Sequence, residues 1–147
     1  MKRLAFTVPG EPVGKGRPRY ASHGGFVQTY TPDRTREYEK RVKACFLEQC
    51  GEACMGYFEP KEPVYITIVA YYPIPKSTTK KRRAEMQADA LLPIKKPDLD
   101  NVVKACTDPL NSVAWHDDSQ IVGVTATKHY SEDPHVVVIL SNEDGGR

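Results

Sequence analysis

The chain has 147 residues, a net charge of +2, and 39% hydrophobic against 27% charged residues. That balance suits a single folded domain, residues 1–147, with a modest core, and excludes a disordered chain. No apolar run is long enough to span a bilayer and the apolar stretch after Met1 is too short for a signal peptide, so the expected compartment is the cytoplasm.

Leu4 to Val8 predicts a short first strand. Residues 9–29 form a Gly- and Pro-rich stretch carrying Lys15, Arg17, Arg19, Tyr20 and Phe26. Basic residues interleaved with aromatics suit phosphates and unstacked bases. A β-hairpin, Arg19–Ala21 against Phe26–Gln28 closed by Gly24-Gly25, is compatible with that role. Thr31 is a good N-cap and Pro32 a good first helical residue. The helix running to about Cys50 carries one apolar stripe: Tyr38, Val42, Cys45 and Phe46. Val64 to Tyr72 is the clearest strand, rich in Val, Ile and Tyr, and reads as central.

Ser77-Thr78-Thr79 opens a second helix, Lys80 to about Ala90, with Lys80, Lys81, Arg82 and Arg83 as a basic cluster. A third helix spans about Leu99 to Leu110. Strands Ile121 to Tyr130 and His135 to Leu140 follow, joined by a turn at Glu132-Asp133-Pro134. The order implies an α+β domain: a mixed β-sheet packed by about three helices on one main face. Cys45, Cys50, Cys54 and Cys106 include no C-x-x-C pair and read as free thiols.

Chemistry concentrates between positions 98 and 118. Asp98, Asp100, Asp117 and Asp118, with Lys104, fall on a segment that changes from extended chain to helix. Carboxylates are hard oxygen ligands suited to Mg²⁺ or Mn²⁺. A lysine beside them can stabilise charge developing on a phosphate. Any one of these residues, taken alone, is more often a cap or a turn residue. As a set they point to metal-assisted phosphodiester chemistry, provided that they converge on one cation. Two other motifs fail. Gly10-Glu11-Pro12-Val13-Gly14-Lys15 is one residue short of a phosphate loop, and His116 and His129 lack a Ser or Cys partner for nucleophilic catalysis.

Lys96-Pro97-Asp98-Leu99-Asp100-Asn101-Val102-Val103-Lys104, then Asp108-Pro109-Leu110-Asn111, then Trp115-His116-Asp117-Asp118 resemble the signature of the RusA family of Holliday junction resolvases. Pro9-Gly10-Glu11-Pro12 with Gly16-Arg17-Pro18-Arg19 is similar to that family's opening, and the likeness runs from Phe6 to Leu140. The resemblance implies a homodimeric, Mg²⁺-dependent endonuclease, with Mn²⁺ as a substitute, that cuts four-way DNA junctions by paired nicks in recombination and repair. It puts metal ligands at Asp98, Asp100 and Asp118, with Asp117 in reserve, and the essential lysine at Lys104. Pro109, where the family more often has Ala, is a departure that would shorten the third helix. Lys15, Arg17, Arg19, Lys80, Lys81, Arg82, Arg83 and Lys96 are the candidates for contact with branched DNA. The alternatives are a nuclease for forks, flaps or duplex, and a non-catalytic DNA-binding module.

Overall fold

The computed structural model describes residues 1–16, 19–30 and 32–145, with side chains described outside 19–23 and 26–30. Arg17 and Thr31, two of the residues singled out above, lie outside the described residues. The strands are β1 (Arg3–Pro9), β2 (Arg19–His23), β3 (Phe26–Tyr30), β4 (Val64–Pro73), β5 (Ile121–Ser131) and β6 (His135–Ser141). The helices are α1 (Asp33–Cys50), α2 (Lys80–Gln87) and α3 (Leu99–Thr107). Single 3₁₀ turns occupy Glu52–Cys54, Asp108–Leu110 and Asp118–Gln120.

β4 is the middle of the molecule. Its residues alternate between buried and half-buried along the whole strand, so one face enters the core. The sheet order is β1-β6-β4-β5, with β4 antiparallel to β6 and parallel to β5. The last two strands are consecutive in sequence yet not neighbours. β6 crosses the end of β4 and inserts between β4 and β1. The reason is composition. Val136, Val138 and Leu140 are fully buried and gain from a neighbour on each side. β5 carries Thr125, Thr127, Lys128 and His129 and tolerates an edge. The Gly10 amide donates to the Pro134 carbonyl at 3.1 Å and ties the crossing loop to the end of β1.

α1 lays its apolar stripe on this sheet: Tyr38, Val42, Cys45 and Phe46 are all buried, and Phe46 meets Phe6 edge-on at 5.7 Å. α3 buries Val102, Ala105 and Cys106 beside it. α3 stops at Thr107, and Asp108–Leu110 continues as a 3₁₀ turn with Pro109 in it, so the proline shortens the helix as the departure from the family pattern implies. β2 and β3 pair antiparallel from Arg19↔Tyr30 to His23↔Phe26. Gly24 and Gly25 both have positive φ, the backbone that a two-residue hairpin turn needs. All four cysteines are free thiols.

Cys106 gives a stability prediction. Burial pushes its thiol up to about 12 from 9.0, and the neighbouring Tyr38 hydroxyl pulls weakly the other way. Below pH 9 the thiol is protonated in both folded and unfolded chains. Above it the unfolded thiol ionises first, so the contribution is lost as pH rises toward about 12. The urea midpoint should fall from pH 9 to 10.5, and Cys106→Ala should fall less steeply over that range.

Candidate active site

Asp98 is the N-cap residue of α3 and stands in extended geometry. Its carboxylate accepts no capping hydrogen bond, so both oxygens remain available. The chain reaches it from a fixed point. The Tyr72 hydroxyl, at the far end of β4, donates to the Pro97 carbonyl at 2.5 Å. Burial, with the Asp98 charge beside it, pushes the Tyr72 phenol up to about 12, so it stays protonated and donating. Asp100 lies in the first turn of α3 and Lys104 in the last, and both are exposed. At a spacing of four they lie on one side of the helix.

Loop residues 14–16 lock against this helix. The Lys15 amide donates to the Asn101 carbonyl at 2.9 Å. Its ammonium bonds Glu39 at 2.9 Å and Asp108 at 3.3 Å. Burial alone would lower its pKa, but Glu39 and Asp108 outweigh that and hold it above the ordinary lysine value. Lys15 is therefore engaged inside the protein and its ammonium is not offered to DNA. Gly14 is required for the close approach: a Cβ there would sit 2.9 Å from Pro97 Cβ and 3.2 Å from Asn101 Cβ.

Asp118 stands at the other end of the sheet. It opens the 3₁₀ turn that leads into Ile121, the partner of Val64 in β4. Val64 and Tyr72 are eight residues apart, about 26 Å along an extended strand. The Trp115 indole N–H holds Asp118 Oδ1 at 3.0 Å, and Trp115 is itself buried. Asp117 accepts from the Ser119 amide at 2.9 Å in a capping box with Gln120, and those bonds hold its carboxyl below the usual carboxylate range. Gln120, three residues after Asp117 in the spacing of a capping box, pins the turn by donating to the Glu59 and Glu62 carbonyls at 2.8 and 3.0 Å.

Convergence within one chain is therefore not what the structure gives. Among the described residues, no three acidic, His or Cys side chains gather as a metal-binding group. α3 and the 3₁₀ turn after it take the chain from the Tyr72 end of β4 to the Val64 end, which separates Asp118 from Asp98 and Asp100. Two aspartates at the start of α3 fit a hard cation by donor type, because Mg²⁺ takes one or two carboxylates and fills the rest of its shell with water and phosphate oxygen. They do not by themselves make the three-carboxylate set.

Between α1 and the segment before α3 lies a cleft of about 430 Å³, lined among others by Glu11, Arg34, Tyr72, Lys95, Lys96 and Asp98. Lys96 thus lines the same cleft as Asp98. Lys80, Lys81 and Arg82 are exposed on α2, whereas Arg83 pairs with Glu132 and donates to the Pro75 carbonyl at 3.3 Å. The Arg19 side chain, like Arg17, falls outside what is described. Arg34, Tyr72 and Trp115 were not legible as site residues. A tryptophan three positions before an aspartate in a turn is a local signal that could have marked the last pair.

If Tyr72 fixes the bend that presents Asp98, Tyr72→Phe should keep the fold and cut DNA cleavage roughly tenfold, the loss of one buried hydrogen bond at the site. Gly14→Ala should lower thermal stability and cleavage together, because Pro97 cannot yield to the added methyl.

The chain matches the family model described as Endodeoxyribonuclease RusA over residues 9–141. It is also 35% identical over 142 residues to YqaN of Bacillus subtilis (strain 168), a protein described as uncharacterized; the match covers 95% of this chain and 96% of YqaN. The aspartate-bearing helix, the cleft at its start and the mixed four-stranded sheet all fall within the matched residues, and the chain belongs to the RusA family of endodeoxyribonucleases, enzymes that resolve Holliday junctions.

Proposed function

We propose that the protein is a Mg²⁺-dependent endonuclease, with Mn²⁺ as a substitute, that nicks four-way DNA junctions in recombination and repair. It acts as a homodimer in which Asp98 and Asp100 of one copy and Asp118 of the second copy hold the same cation. The observation that carries this reading is the separation of the carboxylates: two at one end of β4, one at the other. A two-fold axis running antiparallel strands past each other brings the Asp118 end of each copy to the Asp98 end of the other. It also yields the two sites that paired nicks require.

β5 supports that arrangement. It is an edge strand of 11 residues, and it carries Val122 and Val124, which are 58% and 49% exposed. A long unpaired edge with exposed valines is a ready template for pairing with a second strand. Antiparallel pairing of β5 with its own copy has the required direction.

When bound, the divalent ion supplies charge neutralisation at the phosphodiester and acidifies the attacking water. The chain's own residues do the rest. Asp98, unused by the cap, and Asp100 would hold that cation. Lys104, one turn beyond Asp100, offsets the negative charge that builds on the phosphoryl oxygens in the transition state. Lys96 and the α2 cations Lys80, Lys81 and Arg82 hold the strand by its phosphates.

The test compares a four-way junction, a fork and a plain duplex at equal concentration with Mg²⁺. The junction should be nicked in pairs and fastest. Asp100→Asn should lose roughly 100-fold or more in cleavage, as when a group acting on transition-state charge is removed, and should still bind the junction. Equal cutting of duplex and junction would overturn the substrate assignment, and near-normal cutting by Asp100→Asn would remove that residue from the mechanism.

A further inference from the structure

We infer that the cleft beside Asp98 seats one nucleotide unit of the DNA strand, with Arg34 as its phosphate-binding side chain; this rests on the endonuclease reading above. Arg34 projects from the first turn of α1 into the same cleft that Lys95, Lys96 and Asp98 line. Of the four cations on that lining, two are engaged elsewhere. The Lys15 ammonium is taken by Glu39 and Asp108, and Lys95 lies over the Tyr130 ring at 5.6 Å. Arg34 makes no hydrogen bond, ion pair or ring contact among the described residues. An unpaired guanidinium in a cleft is a ready bidentate donor for a phosphodiester, which a lysine matches only as a point charge.

The rest of the lining fits the remainder of a nucleotide. Pro73 and Pro97, both half-buried, give apolar walls of the kind a deoxyribose occupies. Pro12 and Tyr72, on the same lining, are buried and fixed by packing. The seat of Arg34 is equally fixed. The Gly16 amide donates to Thr35 Oγ1 at 3.0 Å, and a Cβ on Gly16 would meet Pro32 Cγ at 2.9 Å, so the loop is clamped on the start of α1. Glu11 on the lining repels an anion, yet with Lys15 neutralised by Glu39 and Asp108 the charges of Arg34, Lys95 and Lys96 still exceed those of Glu11 and Asp98. Arg34 therefore grips a phosphate next to the one being cut, and sets which phosphodiester faces Asp98.

The test measures junction binding in EDTA, where no strand is cut, across a series of salt concentrations. Arg34→Gln should bind roughly tenfold more weakly, the cost of one charge-assisted contact. The slope of log affinity against log salt should shrink by about one. Arg34→Lys should keep the wild-type slope while binding more weakly than wild type. With Mg²⁺, Arg34→Gln should raise KM and leave kcat near normal. Wild-type affinity and slope in Arg34→Gln would overturn the proposal, as would an unchanged slope with kcat lost. A wild-type protein that cuts no DNA would sink the endonuclease reading alone, because the binding series is read without cleavage.

Discussion

Two hydrogen bonds at opposite ends of one strand decide where the acidic side chains stand. At one end of β4 the Tyr72 hydroxyl holds the Pro97 carbonyl, and Asp98 starts the helix from there. At the other the Trp115 indole holds Asp118, just before β5 departs alongside Val64. The strand between them is extended and central, so it cannot shorten. Its length sets the distance between the two carboxylate groups, and in the proposed dimer a site that uses both draws them from two copies.

Around that constraint the local structure is arranged to keep the Asp98 end stiff. The Lys15 ion pairs hold the preceding loop on α3, and Gly14 allows contact without a side chain between them. Partly buried ion pairs of this kind contribute little net stability, because desolvation offsets much of the attraction. Their consequence here is positional. They bind loop, α1 and the 3₁₀ turn after α3 into one block, and the cleft with Arg34 opens along that block.

Much of the fold is written in local pattern. The Val- and Ile-rich run at 64–72 is β4, and the stripe from Tyr38 to Phe46 is the buried face of α1. The end of α3 is written in Pro109. Strand order is not. β6 takes an inner place because Val136, Val138 and Leu140 outbid β5 for burial, a comparison between distant segments that no single periodicity carries. The site follows the same division. The types and spacing of Asp98, Asp100 and Lys104 were legible because they lie on one helix. The distance to Asp118 depends on how far the chain travels back along the sheet. Arg34 is one cation among many on α1, and only the cleft distinguishes it.

The central claim is that each active site takes Asp98 and Asp100 from one copy and Asp118 from the other. It is tested by mixing two inactive variants, Asp98→Asn and Asp118→Asn, under conditions in which subunits exchange. A shared site leaves one of the two centres in each mixed dimer fully wild type, so nicking of a four-way junction should return toward half the wild-type rate per mixed dimer, with single rather than paired nicks. If each site is built within one copy, both centres of the mixed dimer carry a defect, and mixtures that stay as inactive as either variant alone would contradict the account.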